Sequence, residues 1–97
     1  MAFDANYFHL SVDPGNGMQK QWAYKTADAA ATVDTANYFL AAWALGLRAG
    51  DIIHRLTVTN LGASNEAFSA VGIHFCNSAS STAVDVADAV TFSADTD

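Results

Sequence analysis

Hydrophobic and polar positions alternate with period two in several separate stretches of the chain. From Met18 to Lys25, Trp22 and Tyr24 share one side of an extended segment. From Ile52, one side carries Ile52, His54, Leu56 and Val58, and the other carries Ile53, Arg55, Thr57 and Thr59. Ala67 to Cys76 returns with Val71, Ile73 and Phe75 on a common side, which predicts an antiparallel hairpin across the loop Asn60–Asn65. From Thr82 to Ala94, residues Val84, Val86, Val90 and Phe92 fall on one side if the segment is extended, with a bend at Asp88 as the alternative. Phe3 to Val12 reads as a short strand or a docking arm. Asp13-Pro14-Gly15-Asn16-Gly17 then forms the strongest turn signal, because Pro presets φ and Gly tolerates positive φ.

One stretch breaks the alternation. Thr26 to Val33 reads as a loop with one helical turn. Asp34 or Thr35 then caps a helix from about Ala36 to Leu45, with Phe39, Ala42 and Trp43 on its apolar side and Gly46 as its stop. Gly50-Asp51 turns the chain into the next strand. These elements predict a mainly β fold, a small antiparallel β-sandwich or barrel with one short α-helix. The division is an N-terminal arm and turn over 1–17 and a single β-rich domain over 18–97.

Composition changes this picture in one respect. The chain is 52% apolar and only 14% charged, against about 25% charged in ordinary domains. A small domain has much surface to cover. So few charges leave either an Ala, Ser, Thr and Asn surface or a surface partly covered by other subunits, and the second account is preferred. The net charge is −6, and Lys20, Lys25, Arg48 and Arg55 are scattered, so a nucleic-acid backbone has no basic stripe to meet. No apolar run reaches the ~18 residues of a membrane span. The N-terminal stretch has neither a basic start nor a long apolar core, so no leader is expected and the chain is expected to act without secretion.

Candidate chemistry is sparse. His54, His74 and Cys76 lie on neighbouring predicted strands and would form a metal site if they faced one another, but their spacing lacks a close ligand pair. Core or interface histidines and a buried inert thiol are the simpler reading. Asp28, Asp34, Asp51, Asp85 and Asp88 do not form a calcium loop. Asp34 reads as a cap and Asp51 as a turn residue. Trp22, Tyr24, Tyr38 and Trp43 are a possible sugar-stacking set, though such spacing more often marks a core. There is no phosphate loop and no nucleophile elbow. Neither a catalytic function, a metal nor a cofactor is assigned.

The run from Gln21 to Val58 resembles small structural proteins of tailed bacteriophages. The resemblance is carried by Trp22, Tyr24, Thr26, Asp28, Ala31, Thr32, Val33, Tyr38, Phe39, Leu47, Gly50, Asp51 and Ile52. The segment "LAAWALGL" departs from that pattern, where a more polar helix is common, and Trp43 there marks a contact particular to this chain. The resemblance implies a virion component made in the host cytoplasm. Its best match is a capsid decoration (cement) protein that binds the major capsid protein as a homo-oligomer, commonly a trimer. A head-fibre or spike component, a tail-fibre base, and a small ligand-binding module are the alternatives. Phe3, Tyr7 and Phe8 of the arm, with Phe39 and Trp43, are the expected capsid or subunit contacts.

Overall fold

The computed structural model describes residues 3–88 and 90–91. It is mainly β. A 3-10 turn, Ala5–Tyr7, leads into β1 (Phe8–Val12) and then β2 (Gln21–Thr26). A crossover follows, holding the one-turn helix α1 (Ala30–Val33) and a 3-10 helix, Leu40–Leu45. The chain then runs through β3 (Ile52–Thr59), β4 (Ala67–Ala79), β5 (Val84–Val86) and β6 (Val90–Thr91). The strands lie in the order β1-β2-β3-β4-β5, with β6 also pairing with β4.

The two predicted strands at Ile52 and Ala67 form the antiparallel pair β3–β4. The predicted antiparallel sandwich or barrel is replaced by a single mixed sheet that does not close. The mixing arises because β2 pairs with β3 in parallel, Trp22 opposite Ile53 and Tyr24 opposite Arg55. Parallel neighbours need a long connection, and here that connection covers one side of the sheet. The layers are therefore sheet and crossover.

The core lies between them. Phe8, Trp22, Tyr24 and Ile53 from the sheet meet Val33, Phe39, Ala42 and Leu47 from the crossover. Rings dominate. Phe8 stacks on Trp22 at 4.7 Å, and Phe39 lies 5.3 Å from Tyr24 and 5.0 Å from Tyr38, edge to face.

The α-helix expected over Ala36–Leu45 is instead a 3-10 helix confined to Leu40–Leu45, with neither Asp34 nor Thr35 as its cap. Asn37 adopts φ 67°, a left-handed conformation that a helix interior does not hold. Its N–H donates to the Val84 carbonyl at 2.8 Å, and its side-chain oxygen accepts from the Val84 N–H at 2.9 Å. A tertiary pairing with β5 thus replaces the first helical turns. The expected stop holds. Gly46 sits at φ 116° and its N–H caps the carbonyls of Ala42 and Trp43.

The Gly-Asp corner does more than turn the chain. Gly50, at φ 91°, donates to the Cys76 carbonyl. The buried Asp51 carboxylate accepts from the Lys20 and Arg48 backbone N–H groups and from the Trp22 indole at 3.1 Å, and it pairs with the Lys20 ammonium at 3.3 Å. One short side chain therefore joins the approach to β2, the end of the crossover and the start of β3.

Candidate functional site

The two sides of the sheet differ in a way that alternation does not reveal. Ile53, Arg55, Thr57, Gly72, His74 and Cys76 point toward the crossover and are buried. The register sets this. Ile53 faces His74 and Arg55 faces Gly72, so even positions of β3 share a side with odd positions of β4. His54 and His74, both even-numbered, lie on opposite sides. The weighed metal site at His54, His74 and Cys76 is thereby dismantled. Among the described residues, no group of three or more His, Cys, Asp or Glu is placed to hold a metal ion.

A polar network is enclosed on the crossover side. The buried Arg55 guanidinium donates from Nε to Thr57 Oγ1 and from Nη1 to His74 Nε2, both at 2.9 Å. It lies against Gly72, where a Cβ would fall 2.9 Å from Nη2. Thr57 donates to the Asp28 carbonyl. The Tyr38 hydroxyl donates to Asp28 Oδ2 at 2.6 Å and pairs with the Tyr24 hydroxyl at 2.7 Å, while the Asp4 N–H donates to Tyr24. Burial, and then the Asp28 carboxylate, push the Tyr38 phenol well above its ordinary range, so it remains a donor. Burial also raises the Cys76 thiol, with Asp51 and Asp85 adding to the effect. Cys76 is therefore a protonated, enclosed thiol without the features of a nucleophile.

His74 is held neutral. Arg55 can only donate, so Nε2 is the acceptor and the proton sits on Nδ1, which donates to the Ala87 carbonyl at 2.9 Å. Burial lowers its pKa, and Arg55 lowers it further. The Ala87 bond and the Asp34 and Asp88 charges oppose this shift. In the unfolded chain the imidazole binds a proton as pH falls through about 6.5. The folded protein binds it only at lower pH. The contribution of His74 to stability is thus complete above about pH 6.5 and is lost as pH falls toward the depressed value. Urea unfolding at pH 7.5 and 5.0 is expected to show lower stability at the acid end, and His74→Gln is expected to reduce that difference.

Among the described residues, nothing covers the other side of the sheet. Three rows cross it: Gln21–Ile52–Phe75, Ala23–His54–Ile73 and Lys25–Leu56–Val71. Leu56 is 37% exposed and Phe75 48%. Small Ala23 leaves a groove of about 400 Å³ between the β1 and β3 sides, with Tyr7 and His9 along one wall and His54 and Leu56 along the other. The His9 ring is fixed by the Asn6 carbonyl at 2.9 Å. Lys25 reaches the Glu66 carboxylate at 3.0 Å and lies 5.4 Å from the centre of the Tyr7 ring. These nine positions include no acidic residue. Among the described residues, no helix is long and apolar enough to cross a membrane.

The residues expected to make contacts fall into different places. Phe3, Phe8 and Phe39 come together in the core, with Phe3 5.2 Å from Phe8 and 5.4 Å from Phe39. Phe8 and Phe39 are almost fully buried, so neither offers a surface while the domain is folded. The expected arm is thus continuous with the sheet through β1. Tyr7 lines the groove. Trp43 is half-buried on the crossover, with the Arg48 guanidinium 3.6 Å above its ring. Tyr24 and Trp22, weighed as a stacking platform, are core residues. Sequence reasoning missed the groove itself. It grouped Ile52 with Leu56 and Val71 with Phe75 correctly, but no local signal marks which side the crossover covers. Comparison of the chain with protein-family models, with curated proteins and with solved structures finds no match.

Proposed function

We propose that this chain is a non-catalytic assembly protein, a decoration component of a tailed-phage particle that binds the outer shell and associates with other copies of itself. The observation that carries the reading is the uncovered apolar side of the sheet. A 97-residue chain with 14% charge leaves Leu56, Phe75 and the Ala23 groove unshielded. Contiguous exposed apolar surface of this kind marks a contact site more often than a solvated face. The phage context comes from the resemblance over Gln21–Val58. Binding to the assembled shell and not to its free subunits would stabilise the particle by mass action.

The test is the amount of this protein in purified particles of the virus that encodes it, relative to the major shell protein. A decoration protein is expected at a copy number equal to that of the shell protein or a simple fraction of it. A handful of copies per particle would move the assignment to a fibre or vertex component. Absence from the particle would overturn the reading.

A further inference from the structure

We infer that the open side of the sheet is a self-association surface, covered by the same side of a second copy about a two-fold axis that runs along β3. This deepens the assembly reading and rests on it. Three observations lead there.

The first is charge. The protein carries −6 overall, so most encounters between copies bring acidic groups together. The nine positions of the open side contain no Asp or Glu, and Lys25, its one cation, is already paired with Glu66. Tyr7, His9 and His54 are further titratable groups along the groove. These nine positions therefore add no carboxylate repulsion when two copies meet there; Glu66 and the exposed Asp85 of β5 lie at the border of that side.

The second is shape. β2 and β4 flank β3 on either side. A two-fold axis along β3 therefore lays β2 of one copy over β4 of the other. Ala23 then meets Ile73, and Gln21 meets Phe75, because each pair lies in one row across β3. The side is hollow at Ala23 and raised at Ile73 and Phe75. The groove of one copy receives the ridge of the other, and the symmetry repeats the fit. Leu56 lies on the axis strand and meets its own counterpart. The product is a sandwich whose two sheets come from two chains, which gives the period-two apolar face on β3 and β4 a partner that no described residue of its own chain supplies.

The third is size. About this axis β2, β3 and β4 of one copy overlie β4, β3 and β2 of the other, and three strands about 4.8 Å apart and about 20 Å long present roughly 300 Å² of flat area per copy. Even with side-chain relief, the pair stays below the ~1,000 Å² lower end of stable interfaces. The dimer is accordingly weak in solution and gains strength when copies are held side by side on a particle.

Sedimentation equilibrium of the full chain, from about 1 to 500 μM, tests this. The expected result is a reversible monomer–dimer equilibrium. Leu56→Asp buries two facing carboxylates and is expected to weaken the dimer about 100-fold or more. Ala23→Trp fills the groove and is expected to weaken it at least about tenfold. Leu45→Asp, on the exposed outer side of the crossover, is expected to leave it unchanged. Circular dichroism of dilute samples checks that each variant is folded. A chain that stays monomeric throughout, a trimer, or a dimer indifferent to both open-side variants would overturn the inference. The particle assay keeps the two claims apart. A monomeric chain present in particles at lattice copy number leaves the decoration role standing and removes the dimer. If the open-side variants then lose particle binding, the occupant of that side is the shell protein. A dimer absent from particles removes the role and keeps the interface.

Discussion

Asp51→Ala is expected to destabilise the protein by about 4 kcal/mol, the largest effect of any single polar substitution considered. Three donors lose their acceptor together: the Trp22 indole, the Lys20 N–H and the Arg48 N–H. The Lys20 ammonium loses its partner as well. Asp51 and Trp22 are almost fully buried, so water cannot replace the carboxylate without opening the corner. An unmade buried hydrogen bond costs about 1–3 kcal/mol, and bonds to a charged group lie toward the upper end. Asp51→Asn keeps the shape and one acceptor oxygen, and is expected to lose about half as much. Because a small domain has only ~5–10 kcal/mol in total, the alanine variant is best read by thermal unfolding and the asparagine variant by urea midpoint. A loss under about 1 kcal/mol for alanine would show that the corner is held by its backbone bonds, Gly50 N–H to Cys76 and Cys76 N–H to Asp51.

Gly72→Val is expected to cost about 3 kcal/mol through an overpacked contact, not through backbone strain. A Cβ at position 72 would lie 2.9 Å from Arg55 Nη2, 3.0 Å from Nη1 and 3.1 Å from Cζ. The guanidinium has little freedom to withdraw. Thr57 and His74 hold it by hydrogen bonds, and it is 2% exposed. Gly72 also sits mid-sheet, paired with Arg55 on one side and Thr91 on the other, so the backbone has no slack. A double-mutant cycle isolates the contact. Arg55→Leu alone leaves the His74 lone pair without a donor and is destabilising in its own right. Gly72→Ala combined with Arg55→Leu is expected to be more stable than the sum of the two losses by at least about 1 kcal/mol, because the clash is absent in the double variant. Strict additivity would mean that the guanidinium does not rest on Gly72 in solution.

Both predictions concern residues that look ordinary in the sequence. Arg55 shares a side with Ile53, Thr57 and Thr59 in a half-buried strand, and nothing local marks that side as the enclosed one. Asp51 reads as a turn residue, which it is, but the reach of its carboxylate to Trp22 depends on β2 lying beside β3. Their importance is set by what the fold brings next to them.

The same division runs through the whole molecule. By itself the sequence determined the local elements. Period-two alternation located β2, β3 and β4, the Asp13–Gly17 cluster located the first turn, and Gly46 located the end of the 3-10 helix. These follow from backbone sterics and side-chain direction within a few residues. The burial of Cys76 was legible in the same way, from a single thiol within an apolar run. Only the tertiary structure decided the pairing of β2 with β3 in parallel, the register of β3 on β4 and the bond from Asn37 to Val84. A one-residue change of register turns every side chain to the opposite side of a sheet, and no local preference distinguishes the two registers. That choice buried Arg55 and His74, parted His54 from His74, and left Ala23, Leu56 and Phe75 on an open surface. The crossover has apolar residues enough for only one side of the sheet, and the packing of Phe39, Ala42 and Leu47 on Trp22, Tyr24 and Ile53 selected which side that is.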